Sequence, residues 1–198
     1  MSSLVWIALL ILLITSLGLL LARDWRVNLG FLAAQYIGVF WLVSLQWPPG
    51  MAAVKLVAGW MSTAALGMTR QNLSDEDASR EQVWPQGRLF RVFLSGIVLL
   101  IVGAAAPRVD AIMGGAGMPV TTGGLLLIGM GLLQLGISGQ ILRIVVGLMT
   151  ILAGFEILYA VVEGSILVAA LLVIINLGLA LAGSYLLIAS YAQENEAP

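Results

Sequence analysis

"ILRIVVGLMTILAGFEILYAVV", residues 141–162, is the stretch from which the fold follows. A helix that crosses a bilayer needs roughly 20 consecutive, predominantly apolar residues. This run supplies them, with Arg143 near one end and Glu156 towards the other as its two charged side chains. Six further runs of the same kind lie at 4–22, 27–45, 50–68, 89–106, 121–137 and 165–188. The predicted fold class is all-α, a polytopic transmembrane helix bundle of about seven helices.

Composition agrees. Apolar residues make up 61% of the 198 and charged residues 10%, against about 45–50% and about 25% in a soluble domain. A soluble fold would lack the polar surface to cover so much apolar material. The first run is not read as a signal peptide. Its leading Met-Ser-Ser carries no Lys or Arg, and Arg23 and Arg26 follow it, the reverse of a signal peptide's charge order.

Cytoplasmic connections are enriched in Lys and Arg. With seven spans, one side receives Arg23, Arg26, Arg70, Arg80, Arg88, Arg91 and Arg143, and the other receives Arg108. The N-terminus is therefore expected outside and the C-terminus in the cytoplasm. Trp25 and Trp84 fall at the expected inner interface and Trp47 at the outer one, where indoles prefer to sit. "QWPPG", 46–50, reads as a tight outer turn in which two prolines stop the second helix. The polar segment around 69–91 is expected to be a cytoplasmic loop. Ser74 and Asp77 in it resemble a capping box for a short helix over 75–82. The loop is either a solvated connection or a docking surface for a soluble subunit.

The Gly- and Pro-rich stretch 107–124 suggests a division. Residues 1–106 would form a four-helix part, and residues 107–198 an outer linker followed by a three-helix part. Small-xxx-small pairs such as Gly18/Ala22, Gly178/Ala182 and Ala160/Gly164 allow close helix approach. The glycine-rich faces of the last three spans, with Gly131 and Gly178, are expected to meet another membrane subunit.

Cysteine and histidine are both absent. That removes disulfides, thiolate metal sites, iron–sulfur clusters and histidine ligation of haem. It also removes a serine–histidine nucleophile. No phosphate-binding glycine loop is present, and no basic cluster suggests nucleic acid. Catalytic residues, metal ligands and cofactors are not expected. At most the chain is a non-catalytic subunit of an oxidoreductase complex.

What remains is polarity inside the spans. By position along its run, Lys55 lies ~7 Å and Glu156 ~9 Å from the outer limit at 1.5 Å per residue, and Asn176 sits near the middle of the last run. A charge at the bilayer centre costs about 2.5–3.5 kcal/mol on insertion scales, and such groups usually face the bundle interior. Lys55 and Glu156 would pair if the third and sixth spans were neighbours. Otherwise Lys55 snorkels outward and Glu156 contacts a neighbouring subunit. Gln35, Gln134 and Asn176 read as interhelical hydrogen-bonding groups. Glu156, Lys55 and Asn176 are the candidates for an ion path. Glu156→Gln is expected to leave assembly intact and to lower translocation.

The segment "GGLLLIGMGLLQLGISGQILRIVVGLMTILAGFEILYAVVEGSILVAALLVIINLGLALAGSYLLI", 123–188, is similar to the three-helix K-type subunit of respiratory complex I. Related families are the C subunit of multisubunit sodium/proton antiporters and hydrogenase-4 component E, the last being closest in size and layout. The shared features are a glycine-rich first helix, a short turn with Arg143, the Gly147-Leu148 start of the second helix, and "GLAL" at 178–181. The family's N-outside topology also agrees. In that family a glutamate follows the "GL" of the second helix and another sits in the third, both assigned to a proton path. Here Met149 holds the first position, and Asn176 is the polar residue near the second. Glu156 stands seven residues after Met149, offset by ~20° on the same helix face and ~10.5 Å along it.

The resemblance implies a multi-pass subunit of the cell (plasma or inner) membrane. It would complete the membrane arm of an energy-converting complex of the complex I, cation–proton antiporter or membrane hydrogenase type, and offer Glu156 to proton or sodium translocation. Its expected partners are other membrane subunits, the lipid bilayer and a soluble subunit at the 69–91 loop. The rivals are a purely structural subunit of a respiratory or photosynthetic assembly and a small free-standing transporter.

Overall fold

The computed structural model describes residues 2–73 and 87–196. Among these residues the structure holds seven helices and no strand: α1 (Ser2–Leu21), α2 (Trp25–Val43), α3 (Pro49–Gln71), α4 (Arg88–Ile112), α5 (Met118–Ile137), α6 (Ile141–Val162) and α7 (Ile166–Glu196). Helices α2 to α7 are long and apolar enough to cross a membrane, and α1 is apolar over Val5–Leu21. The chain is a multi-pass helical membrane protein. The capping box at Ser74, the short helix over 75–82 and Trp84 lie outside the described residues.

The helix ends differ from expectation where prolines were read as stops. α2 closes at Val43, and Pro49 starts α3 at its first position, where a missing N–H costs nothing. Pro107 lies inside α4, which runs on to Ile112. A proline forfeits one helical hydrogen bond, and near a helix end other groups can satisfy the freed carbonyl. The expected linker over 107–124 therefore shrinks to a turn between Ile112 and Met118. Gly114, Gly115 and Gly117 adopt positive φ there, at 78°, 78° and 107°. Asp110 ties the turn by accepting from the Gly117 N–H at 3.0 Å and the Thr121 hydroxyl at 2.9 Å.

The helices pack as two sets of three. α1, α2 and α3 lie side by side in chain order, and so do α5, α6 and α7. Each helix of the first set rests on its counterpart in the second: α1 on α5, α2 on α6, α3 on α7. α4 joins the sets from outside, against α5 and more lightly against α1. The boundary suggested at residue 107 thus separates chain segments that pack into one bundle.

The closest approach is between α5 and α6, and glycine makes it possible. A Cβ on Gly154 would lie 2.6 Å from the Gly124 carbonyl oxygen, and one on Gly131 would lie 2.8 Å from that of Gly147. The glycines are spaced by seven on both helices, so two backbone contacts fall on one antiparallel seam. Gly131 is therefore used within the chain rather than against another subunit. Around Gly178 no atom would come within 4 Å of an added Cβ.

Arginines mark one end of the bundle. Arg91 donates to the Leu20 carbonyl at 3.1 Å, and Arg143 donates to that of Ala22, so the starts of α4 and α6 sit beside the end of α1. Last-turn carbonyls of a helix have no intrahelical partner and attract cations. At the opposite end Trp47, 4% exposed, donates its indole N–H to the Glu163 carbonyl at 2.9 Å. The expectation of Trp47 in the lipid interface gives way to an indole buried under the α6–α7 turn.

Candidate functional site

Lys55 is six residues into α3 and Glu156 six residues from the end of α6, ~9 Å of helix in each case. The equal depths let the side chains meet. Lys55 Nζ donates to Glu156 Oε1 at 2.6 Å, with the side chains 2% and 1% exposed. Lys55 does not snorkel, and Glu156 does not look for its partner on another subunit. The reason is that pairing satisfies two groups that the membrane interior would otherwise isolate.

The helices that carry this pair are diagonal to each other. α2 packs on both α3 and α6, α7 packs on the same two, and α3 and α6 do not pack closely. Four helices thus enclose a small interior, and the ion pair crosses it. A second pair crosses the other diagonal. The Tyr36 hydroxyl of α2 and the Asn176 amide of α7 lie 3.0 Å (Nδ2) and 3.1 Å (Oδ1) apart. Tyr36 is 2% and Asn176 1% exposed. A Cβ on Gly59 would collide with the Tyr36 ring, so that glycine gives the ring its place against α3.

Further polar contacts continue towards the arginine end. Gln35 Nε2 donates to the Ser16 hydroxyl and Thr150 donates to Gln35 Oε1, each at 3.4 Å, joining α1, α2 and α6. Gln134 Nε2 donates to the Arg143 carbonyl at 3.0 Å, from α5 to α6. The expected interhelical role of Gln35, Gln134 and Asn176 is what the geometry displays. Met149 is fully buried, so it shares the inward face of α6 with Glu156.

Three site residues escaped the sequence reading. Tyr36, Ser16 and Thr150 carry small or masked hydroxyls that apolar spans tolerate, and only their position opposite Asn176 and Gln35 reveals a role. Among the described residues four buried polar atoms lack a partner: Asn28 Oδ1, Ser62 Oγ, Ser184 Oγ and, in the ion pair itself, Glu156 Oε2. Glu156 Oε2 is buried and accepts no hydrogen bond from the described residues. The site's chemistry is acid–base and electrostatic: an ammonium, a carboxylate with one unsatisfied oxygen, a phenol and an amide. Among the described residues no cluster of acidic side chains could hold a metal.

No protein-family model, curated protein or solved structure matches the chain.

Proposed function

We propose that this chain is a membrane subunit of a multisubunit energy-converting complex of the complex I, cation–proton antiporter or membrane hydrogenase type. It sits in the cell membrane and contributes Lys55 and Glu156 to a path for protons or sodium ions. The observation that carries this reading is the buried Lys55–Glu156 pair with Glu156 Oε2 unsatisfied. An ionisable residue inside a spanning bundle is a functional hypothesis by default. A carboxylate oxygen with no donor among the described residues can accept a proton or contact a cation, and the neighbouring ammonium can release a proton to balance the charge gained.

The resemblance supports the class. Its first glutamate position is Met149 here, and Glu156 lies on the same buried face of α6. Broad exposed apolar faces on α4 and α7, with Leu100 and Tyr185 among the most exposed, suit burial against other membrane subunits. The 69–91 loop would meet a soluble subunit.

The deciding experiment uses the intact complex, purified in mild detergent and reconstituted. Lys55→Met/Glu156→Gln removes both titratable groups together and leaves no lone charge. The ion-path reading expects normal co-migration with the partner subunits and a loss of translocation. Translocation at the wild-type rate would move the assignment to a structural subunit. That second reading has its own support: both diagonal pairs brace the same four helices.

A further inference from the structure

α4 and α5 touch at one level and part at another. A Cβ on Gly129 would lie 2.7 Å from Val98 Cγ1 of α4, whereas two turns on, a Cβ on Gly136 would meet nothing within 4 Å. The helices splay towards the arginine end and leave an open wedge of about 760 Å³. Phe90, Leu94 and Ile101 line one wall and Leu132, Leu133 and Gly136 the other, and Ser138 at the α5–α6 turn is its one polar side chain.

Length and charge identify an occupant. The α4 wall runs from Phe90 to Val102, or ~18 Å of helix, close to the half of a ~30 Å hydrocarbon core that one leaflet fills. A partner's spanning helix would need a seat through the whole thickness, and this one ends where Gly129 meets Val98 and Val102. Arg88, exposed, and Arg91 lie in the first turn of α4 on either side of Phe90, the lining residue nearest that helix end. Arg91 spends one N–H on the Leu20 carbonyl, and a guanidinium carries five. Basic residues flanking a cleft between spans attract anionic headgroups. We propose that the wedge binds an anionic phospholipid, with one acyl chain between α4 and α5 and its phosphate at Arg88 and Arg91.

The test uses the full chain reconstituted in phosphatidylcholine vesicles, with trace phosphatidylglycerol or phosphatidylcholine spin-labelled on the acyl chain. Electron paramagnetic resonance reads the motionally restricted fraction. Wild type should restrict phosphatidylglycerol more than phosphatidylcholine. Arg88→Gln should lower that preference about fivefold, the loss expected for one basic residue at the surface. Gly136→Phe, which fills the wedge, should abolish the preference. Equal restriction of the two lipids by wild type overturns the proposal, and is the result expected if another protein's helix occupies the wedge. A preference that survives both variants also overturns it. Should Gly136→Phe fail to fold by size exclusion, an unchanged preference in Arg88→Gln is sufficient to reject the site.

Discussion

Lys55 and Glu156, 101 residues apart in the chain, meet at 2.6 Å across two helices that do not themselves pack closely. α2 and α7 hold α3 and α6 at the separation that a lysine and a glutamate side chain together can span. The pair is thus a product of four helices, and each charge is tolerated in the membrane because the other is there.

Removing one partner should therefore be worse than removing both. Lys55→Ala or Glu156→Ala is expected to cost about 3–5 kcal/mol by stranding a buried charge, while an apolar double replacement such as Lys55→Met/Glu156→Leu should be neutral or stabilising by up to about 4 kcal/mol. Thermal unfolding in detergent measures all three. Glu156→Gln belongs with the harmful single changes, contrary to its expected neutrality for assembly, because Lys55 loses its countercharge.

The second diagonal is weaker. Tyr36→Phe removes the hydroxyl that Asn176 contacts, and interhelical hydrogen bonds in membranes average about 0.6 kcal/mol and reach about 1.7. A loss in that range is expected for Tyr36→Phe and for Asn176→Leu. The double variant should lose less than the sum of the two, and strict additivity in a double-mutant cycle would show that the pair contributes no coupling.

Glycines on the α5–α6 seam should be intolerant of even one methyl group. Gly154→Ala places a carbon 2.6 Å from the Gly124 carbonyl oxygen, so the helices must separate, at a cost of about 1–3 kcal/mol for overpacking. Gly178→Ala meets no atom within 4 Å and should leave the isolated chain as stable or slightly more so. If Gly178→Leu nevertheless lowers incorporation into a larger complex, the face it lies on meets another subunit.

Topology has a direct test. The arginine-bearing end is expected in the cytoplasm, which puts the 69–91 loop and the C-terminus there. A reporter fused after Pro198 that is active only in the cytoplasm should give signal, and one that requires export should not. The opposite pattern would invert the orientation.

Seven helices could be read from hydrophobic length alone, six of them long and apolar enough to cross, because a bilayer demands about 20 apolar residues from any helix that crosses it. The sixth run, 141–162, coincides with α6 residue for residue. That Lys55 and Glu156 lie at matching depths was also legible, since depth is counted along the chain. Their pairing was not, because helix neighbours depend on how seven similar apolar surfaces sort against one another. The same holds for Tyr36 with Asn176, and for the choice of Gly131 to face Gly147 while Gly178 faces away. Proline misled the boundaries, since Pro107 sits near a helix end where its lost hydrogen bond is easily replaced. Hydrophobic run length determined how many helices form and how far along its helix each polar group lies. Packing alone decided which of those groups share an interior, since lateral order within a membrane is set by side-chain fit rather than by hydrophobic length.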